Sequence, residues 1–328
     1  MHLENNHPSF AIGVDVGGTK IACGIVDSLG NIYAHQEIAT KVQEGAKAVE
    51  EQILTEIRTL LKQTEFPILG IGIGAAGQVD AQTGNILFAP NLYWHNVPLC
   101  TNLQKALQLP IHGLNDVRAS TLAEWHFGAG KGCRDLLCIF VGTGIGGGII
   151  SENILLKGNS NTCGEIGHMT IDLHGPFCTC GKRGCFEALA GGWAIATKAR
   201  AIVESEDEGE LCHLLLNLVD GKPERINAKT VITGYLQEDP LCITLMTDVL
   251  EALVIGLSNL VNICNPRKII LGGGIIEGFT ESIPYIEEKI KQTALKASTG
   301  HLEIAKAHFG REAGVIGAAT AILLKERE

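Results

Sequence analysis

The stretch Phe10-Ala-Ile-Gly-Val-Asp-Val-Gly-Gly-Thr-Lys-Ile-Ala-Cys-Gly-Ile-Val-Asp27 reads as two apolar strands joined by a tight turn. Phe10 to Val16 runs out, Gly17-Gly18-Thr19 turns the chain, and Lys20 to Asp27 returns. Glycine suits such a turn because it tolerates backbone angles that a Cβ disfavours. A second stretch repeats the plan: Leu136 to Val141 is apolar, Gly142-Thr143-Gly144 turns, and Gly146 to Ile150 returns. Two like hairpins indicate an internal duplication of one strand-rich α/β module. The expected architecture is two α/β lobes facing each other across a cleft.

Between and after the hairpins the pattern alternates strands with helices. A third strand is expected over Asn31 to Thr40, and helical spacing of Val49, Ile53, Leu54, Ile57, Leu60 and Leu61 marks a helix from Ala46 to Gln63. Pro67 stops it before a strand at Ile68 to Ile73. Ile111 to Leu114 is another strand, leading through Asn115-Asp116 into a helix from Arg118 to Phe127. Later come a long apolar helix, Leu241 to Cys264, a strand, Lys268 to Leu271, a Gly272-Gly273-Gly274 turn and a last helix, Glu312 to Glu326. The expected division is a small domain, 1–117, completed by the C-terminal helix at about 312–328, and a large domain, 118–311. An acidic stretch, Glu204 to Glu210, reads as a solvated loop.

Composition narrows the function. The chain has 328 residues, 45% hydrophobic and 19% charged, enough for two cores. Its net charge of −10 disfavours a nucleic-acid surface, which needs clustered lysine and arginine. Eleven cysteines, odd in number and irregularly spaced outside one cluster, fit a reducing cytoplasm. Met1 to Ser9 is polar and lacks the apolar core of an export signal. No membrane association is expected, since no run approaches the ~20 apolar residues of a span.

Three features carry chemistry. In Asp15-Val16-Gly17-Gly18-Thr19-Lys20, glycines can present backbone N–H groups to an anion while Thr19 adds a hydroxyl. Asp15 could hold magnesium through water, and the repeat at Thr143 and Gly144 suits a nucleotide gripped from two sides. Gly72-Ile-Gly74-Ala-Ala-Gly77 and Gly142-Thr-Gly144-Ile-Gly146-Gly147 imitate a dinucleotide fingerprint. Neither has the strand–turn–helix context that the fingerprint requires, so a nicotinamide cofactor is not expected. Asp116, ending a strand and starting a helix, suits either an N-cap or a general base.

The third feature is Gly164-Glu-Ile-Gly-His-Met-Thr-Ile-Asp-Leu-His-Gly-Pro-Phe-Cys-Thr-Cys-Gly-Lys-Arg-Gly-Cys-Phe-Glu187. It gathers His168, Cys178, Cys180 and Cys185 in one loop-rich segment, with Cys163 and His174 as alternative ligands. Three thiolates and one imidazole make a closed tetrahedral zinc shell, with no position for a catalytic water. The zinc is therefore read as structural, ordering Glu165 and Glu187, whose carboxylates accept hydrogen bonds from sugar hydroxyls. Asn91 and Asn115 are amides able to do both.

These motifs, and above all Gly164 to His168 with Cys178 to Glu187, resemble the ROK family of repressors and sugar kinases, within the actin-like (ribonuclease-H-like) superfamily. The resemblance covers nearly the whole chain. It implies Asp116 as general base and Asn91, Asn115, Glu165, His168 and Glu187 as sugar contacts. It implies zinc on His168, Cys178, Cys180 and Cys185, with Gly17, Gly18, Thr19 and Thr143 on the phosphates of ATP and Gly272, Gly273 and Gly274 beside the nucleoside. It further implies magnesium with ATP, and a homodimer. About ten residues precede the first strand, too few for the helix-turn-helix of the repressors. The expected activity is a cytoplasmic hexose kinase, glucokinase-like in Pro90-Asn91-Leu92-Tyr93-Trp94, with an N-acetylmannosamine or N-acetylglucosamine kinase as the alternative. A sugar sensor without catalysis is the rival from another class.

Overall fold

A computed structural model describes residues 8–205 and 213–325. Most of the acidic stretch expected at Glu204 to Glu210 lies outside the described residues, as does Cys212. The chain divides into two compact units. The first comprises the described residues up to Gly132, Leu155–Cys163 and those from His308 on; the second comprises Cys133–Ile154 and Gly164–Ala307.

The first unit is built on a five-stranded sheet of order β3-β2-β1-β4-β8, with β1 Phe10–Val16, β2 Lys20–Asp27, β3 Ile32–Ala39, β4 Ile68–Ala75 and β8 Ile111–Asn115. The opening hairpin pairs antiparallel, Val16 opposite Ile21, while β4 and β8 run parallel to β1. The edge strand β3 alternates half-buried and exposed residues, as a sheet edge with one wet face should. The helix Ala46–Gln63 buries Val49, Ile53, Ile57 and Leu60 of its expected apolar stripe, with Leu54 and Leu61 half-buried beside them. A small sheet of β5 Gln78–Val79, β6 Ile86–Ala89 and β7 Trp94–Val97, with a helix Leu99–Leu107, has no counterpart in the sequence reading.

The C-terminal helix Ala313–Lys325 lies on this sheet at a distance only glycine permits. A Cβ on Gly72 would run into the backbone of Ala318, and one on Gly317 into that of Ala119. Through Ala119, Leu122, Ala318 and Ala321 the same helix packs against the helix Asp116–His126. The buried Glu124 seals that joint, accepting from the backbone N–H of His308 at 2.7 Å and Phe309 at 2.8 Å. Hence the units part at residue 132 rather than at 117: the helix after Asp116 belongs with the first sheet because its small residues face the C-terminal helix.

The second unit repeats the plan. Its sheet has the order β11-β10-β9-β12-β13, with β9 Leu136–Val141, β10 Ile145–Ser151, β11 Ile154–Leu155, β12 Lys268–Gly272 and β13 Glu303–Lys306. The β9–β10 hairpin is antiparallel, and β12 and β13 run parallel to β9, matching β1, β4 and β8 strand for strand. The duplication inferred from two hairpins thus extends to the whole sheet order.

Helices cover this sheet, chief among them Pro240–Cys264, capped by Asp239, whose carboxylate accepts from Cys242 N–H at 2.8 Å. Asn265, left-handed at φ 45°, ends it before Pro266. The sequence reading found no run fit to cross a membrane, yet this helix is long and apolar enough by length and composition. It serves instead as the unit's central core element, with Leu245, Met246, Val249, Leu253, Leu257 and Val261 buried.

Candidate active site

The parallel strands of the first unit align the candidate catalytic groups. Asp15 on β1 pairs with Gly74 on β4, and Gly74 with Leu114 on β8, so Asp15 and Asp116 leave the sheet at the same C-terminal edge. Open α/β sheets hold ligands at that edge. Asp116 is the first residue of its helix, and Asn115, not Asp116, is the N-cap: its side-chain oxygen accepts from Arg118 N–H at 3.2 Å. The amide of Asn115 is spent locally as well, donating to Asp116 Oδ1 at 2.9 Å and to the Gly77 carbonyl at 3.2 Å. One carboxylate oxygen of Asp116 is thereby pinned, and the N-cap role is taken from it.

The first turn is braced from beneath. Gly17 N–H donates to the Lys20 carbonyl, Thr40 N–H to that of Thr19, and the Thr40 hydroxyl to that of Gly17. Gly18 is packed so closely on Asn91 that a Cβ would stand 2.6 Å from the Asn91 carbonyl oxygen, which brings Asn91 beside this turn. The ammonium of Lys20 is engaged elsewhere, 2.5 Å from Glu37 Oε2 on β3.

Burial, and then the charge of Asp116, push the carboxyl of Asp15 up to about 7, against the lowering influence of Lys20. A carboxyl so raised resists ionisation in the fold, so two neighbouring carboxylates at this edge fit a bound cation. The linkage has a definite sign. With an ordinary value of 3.8 in the unfolded chain and about 7 in the fold, the contribution of Asp15 to the stability of the ligand-free protein is most favourable in acid and is lost as pH rises toward 7. Asp15→Asn should therefore raise the melting temperature of ligand-free protein at pH 8, by an effect on the order of a few kcal/mol, and leave it nearly unchanged at pH 4. Thermal melts at the two pH values check this; equal shifts at both would refute it.

Sequence reasoning missed Arg118 and Asn161. Arg118 is buried and donates through Nη1 to the backbone oxygen and the side-chain oxygen of Asn161. Asn161, left-handed at φ 59°, donates in turn to the Val79 carbonyl at 2.8 Å. This chain of contacts ties the returning segment Leu155–Cys163 to the helix of Asp116. Nothing local marks it, since the three residues are far apart in sequence.

In the second unit, His168, Cys178, Cys180 and Cys185 come together as expected, their ligand atoms all within 4.8 Å of one another. Cys180 Sγ stands 3.6 Å from Cys185 Sγ, and Cys178 Sγ 3.7 Å from His168 Nδ1. Tetrahedral zinc with Zn–S bonds of about 2.3 Å sets its sulfurs roughly 3.8 Å apart, so the donor set fits zinc. Its electrostatics agree: burial and the adjoining thiols push the buried Cys185 up to about 12, a crowding that a dication relieves. The alternatives Cys163 and His174 are not members of the group.

Glu187 lies in the first turn of the short helix Phe186–Ala190 that follows the cluster. Its Oε2 accepts from Ile145 N–H at 2.9 Å, just past the Gly142-Thr143-Gly144 turn, and its Oε1 from the Trp193 indole at 3.1 Å. A side chain at Gly144 would collide with that carboxylate. Glu165 is exposed, and Thr143 is exposed at the tip of the turn. Gly272 ends β12 beside Phe140, and Gly273, at φ 89°, passes so close to Val141 that only glycine fits. Gly274 starts the short helix that follows.

A family model described as the ROK family matches residues 11–326. The chain belongs to the ROK family. The glucokinase of Streptomyces coelicolor is 33% identical over 94% of this chain and 96% of its own length. A ROK family glucokinase from Streptomyces griseus, solved in complex with glucose and AMPPNP, has a TM-score of 0.82 at 32% identity, covering 95% of this chain and 99% of that one. A xylose repressor of Caldicellulosiruptor bescii is 31% identical over 93% of this chain and 76% of its own length. The two-lobed α/β fold of ROK sugar kinases and the sugar-kinase class, both implied by the sequence, stand on these relatives. The repressor is a reminder that the same family also serves regulation.

Proposed function

We propose that this chain is an ATP- and magnesium-dependent glucokinase acting on the 6-hydroxyl of glucose. The observation that carries the reading is Asp116, at the C-terminal edge of parallel strands and with one oxygen held by Asn115. A carboxylate so placed accepts the hydroxyl proton as the sugar oxygen bonds to the γ-phosphorus. The bond from that phosphorus to the β–γ bridging oxygen breaks, and ADP leaves. Asn115 acts by orienting Asp116, a role its local hydrogen bonds favour over sugar contact. Similarity to the two glucokinases supports glucose as the substrate and ATP as the donor.

In this reading Gly17, Gly18 and Thr19, and Thr143 with Gly144, bind phosphate through backbone N–H and hydroxyl groups, and Gly272 to Gly274 border the nucleoside. Asn91, Glu165, His168 and Glu187 bind sugar hydroxyls. Asp15 would hold magnesium, which neutralises phosphate charge when bound. His168, Cys178, Cys180 and Cys185 would hold zinc, whose contribution is a cross-link in the loop that carries Glu165 and Glu187. A cytoplasmic homodimer belongs to the same reading.

The test is ADP release with ATP and magnesium across glucose, mannose, fructose, N-acetylglucosamine and N-acetylmannosamine. Glucose should give the highest kcat/KM. Preference for an N-acetyl sugar would keep the phosphoryl transfer and replace the substrate. If no sugar stimulated ADP release, the chain would be a sugar sensor, the role its likeness to a xylose repressor favours.

A further inference from the structure

Trp193 occupies a junction in the second unit that neither the motifs nor the mechanism uses. It stands at the start of the helix Gly192–Glu204, beyond the Gly191–Gly192 break that separates this helix from the one carrying Glu187. It packs against the small apolar cluster of Cys178, Cys185 and Ala188, which includes two of the four metal-ligand candidates. Its indole N–H donates to Glu187 Oε1 at 3.1 Å. Its backbone N–H donates to the Thr143 carbonyl at 3.0 Å, beside the Gly192 N–H on Gly142. One residue thus touches the cysteine cluster, the candidate sugar carboxylate and the phosphate turn.

We propose that Trp193 is a positioning residue that locks the Glu187 carboxylate and couples its orientation to the metal cluster. The inference rests on Glu187 as a sugar contact. Two donors, Ile145 N–H on one oxygen and the indole on the other, fix the rotation of the carboxylate about its terminal bond. The glutamate can then present its remaining lone pairs to a hydroxyl in one orientation. Preorganised acceptors bind more tightly because less side-chain freedom is lost on binding. Because Trp193 packs against the cluster of Cys178, Cys185 and Ala188, rearranging the cluster moves the indole, and with it the donor.

Trp193→Phe separates the hydrogen bond from the packing. The phenyl ring keeps the contact with the thiols and the backbone N–H keeps the bond to Thr143, while the indole donor is lost. Loss of a hydrogen bond to a charged acceptor should raise the hexose KM about tenfold. The ATP KM and kcat should stay within about twofold, because the turn and Asp116 are untouched. A purely structural role would instead move all three together, or none. The second readout needs no substrate: stripping the metal with a chelator should change tryptophan emission in the wild type and leave it nearly constant in Trp193→Phe, where Trp94 and Trp125 remain. An unchanged hexose KM, or an emission change that persists in the variant, overturns the proposal. If none of the hexoses stimulates ADP release by the wild-type protein, it is the kinase reading that fails, and the emission measurement still decides whether Trp193 reports on the cluster.

Discussion

Asp116→Asn should bind hexose nearly as well as the wild type and lose turnover by roughly a thousandfold, the usual worth of a positioned general base. Asparagine has the same shape, and its side-chain oxygen can still accept from the Asn115 amide, 2.9 Å away in the wild type. What it cannot do is accept a proton. The loss should fall on kcat and kcat/KM alike, the pattern of an interaction made only in the transition state. Equilibrium titration with hexose, paired with steady-state assays, separates the two effects. Turnover near the wild-type level would remove Asp116 from the mechanism. Loss of binding together with turnover would assign it to the ground state.

The same substitution has a second consequence in the ligand-free protein. The charge of Asp116 is the second cause, after burial, that raises the carboxyl of Asp15. Removing it lets Asp15 ionise more easily, so the ligand-free Asp116→Asn protein should be more stable than wild type near pH 8. In the proposed reading the two carboxylates oppose the fold while serving the reaction, the trade-off expected where charges of one sign are gathered for a cationic cofactor.

Much of this was legible in the sequence, and for a definite reason. The hairpins at Val16–Ile21 and Val141–Ile145 are local structures, written in glycine turns and apolar runs, and two copies disclosed the duplicated sheets. The cluster of His168, Cys178, Cys180 and Cys185 was legible because three thiols and an imidazole at close spacing make a recognisable metal-ligand pattern. Contacts between distant segments were not. Arg118 meets Asn161 across 43 residues, and Glu124 meets His308 across 184, and no local pattern announces either. The unit boundary was misplaced for the same cause, since Ala119 and Gly317 reveal their close crossing only in the fold. The capping role of Asn115 was not legible either, because it depends on where the helix begins.

Cys180→Ser should lose metal and hexose affinity together. Ile166 anchors the start of the segment in the main core, with Met169 and Ile171 packed on it, but the part from Asp172 to Cys185 rests on backbone hydrogen bonds, the isolated bridge of Phe177 with Arg183 and the small cluster of Cys178, Cys185, Ala188 and Trp193. So slight an apolar contribution does little to offset the entropy of ordering that part of the loop. In small metal-ordered segments the binding energy of the ion becomes the folding energy of the chain around it. Cys180 is exposed, so its replacement by serine leaves no buried cavity, and its main effect is the missing thiolate. Metal affinity should fall on the order of a hundredfold or more, since a hydroxyl is a far poorer donor to zinc than a thiolate. Hexose KM should rise as Glu165, His168 and Glu187 lose their fixed placement, while the melting temperature of the first unit's sheet is little affected. Metal content by elemental analysis, measured beside hexose KM, provides the check. A folded variant that is metal-free and keeps wild-type hexose KM would show that the cysteines do not scaffold the sugar contacts, and Glu187 would then owe its position to Ile145 and Trp193 alone.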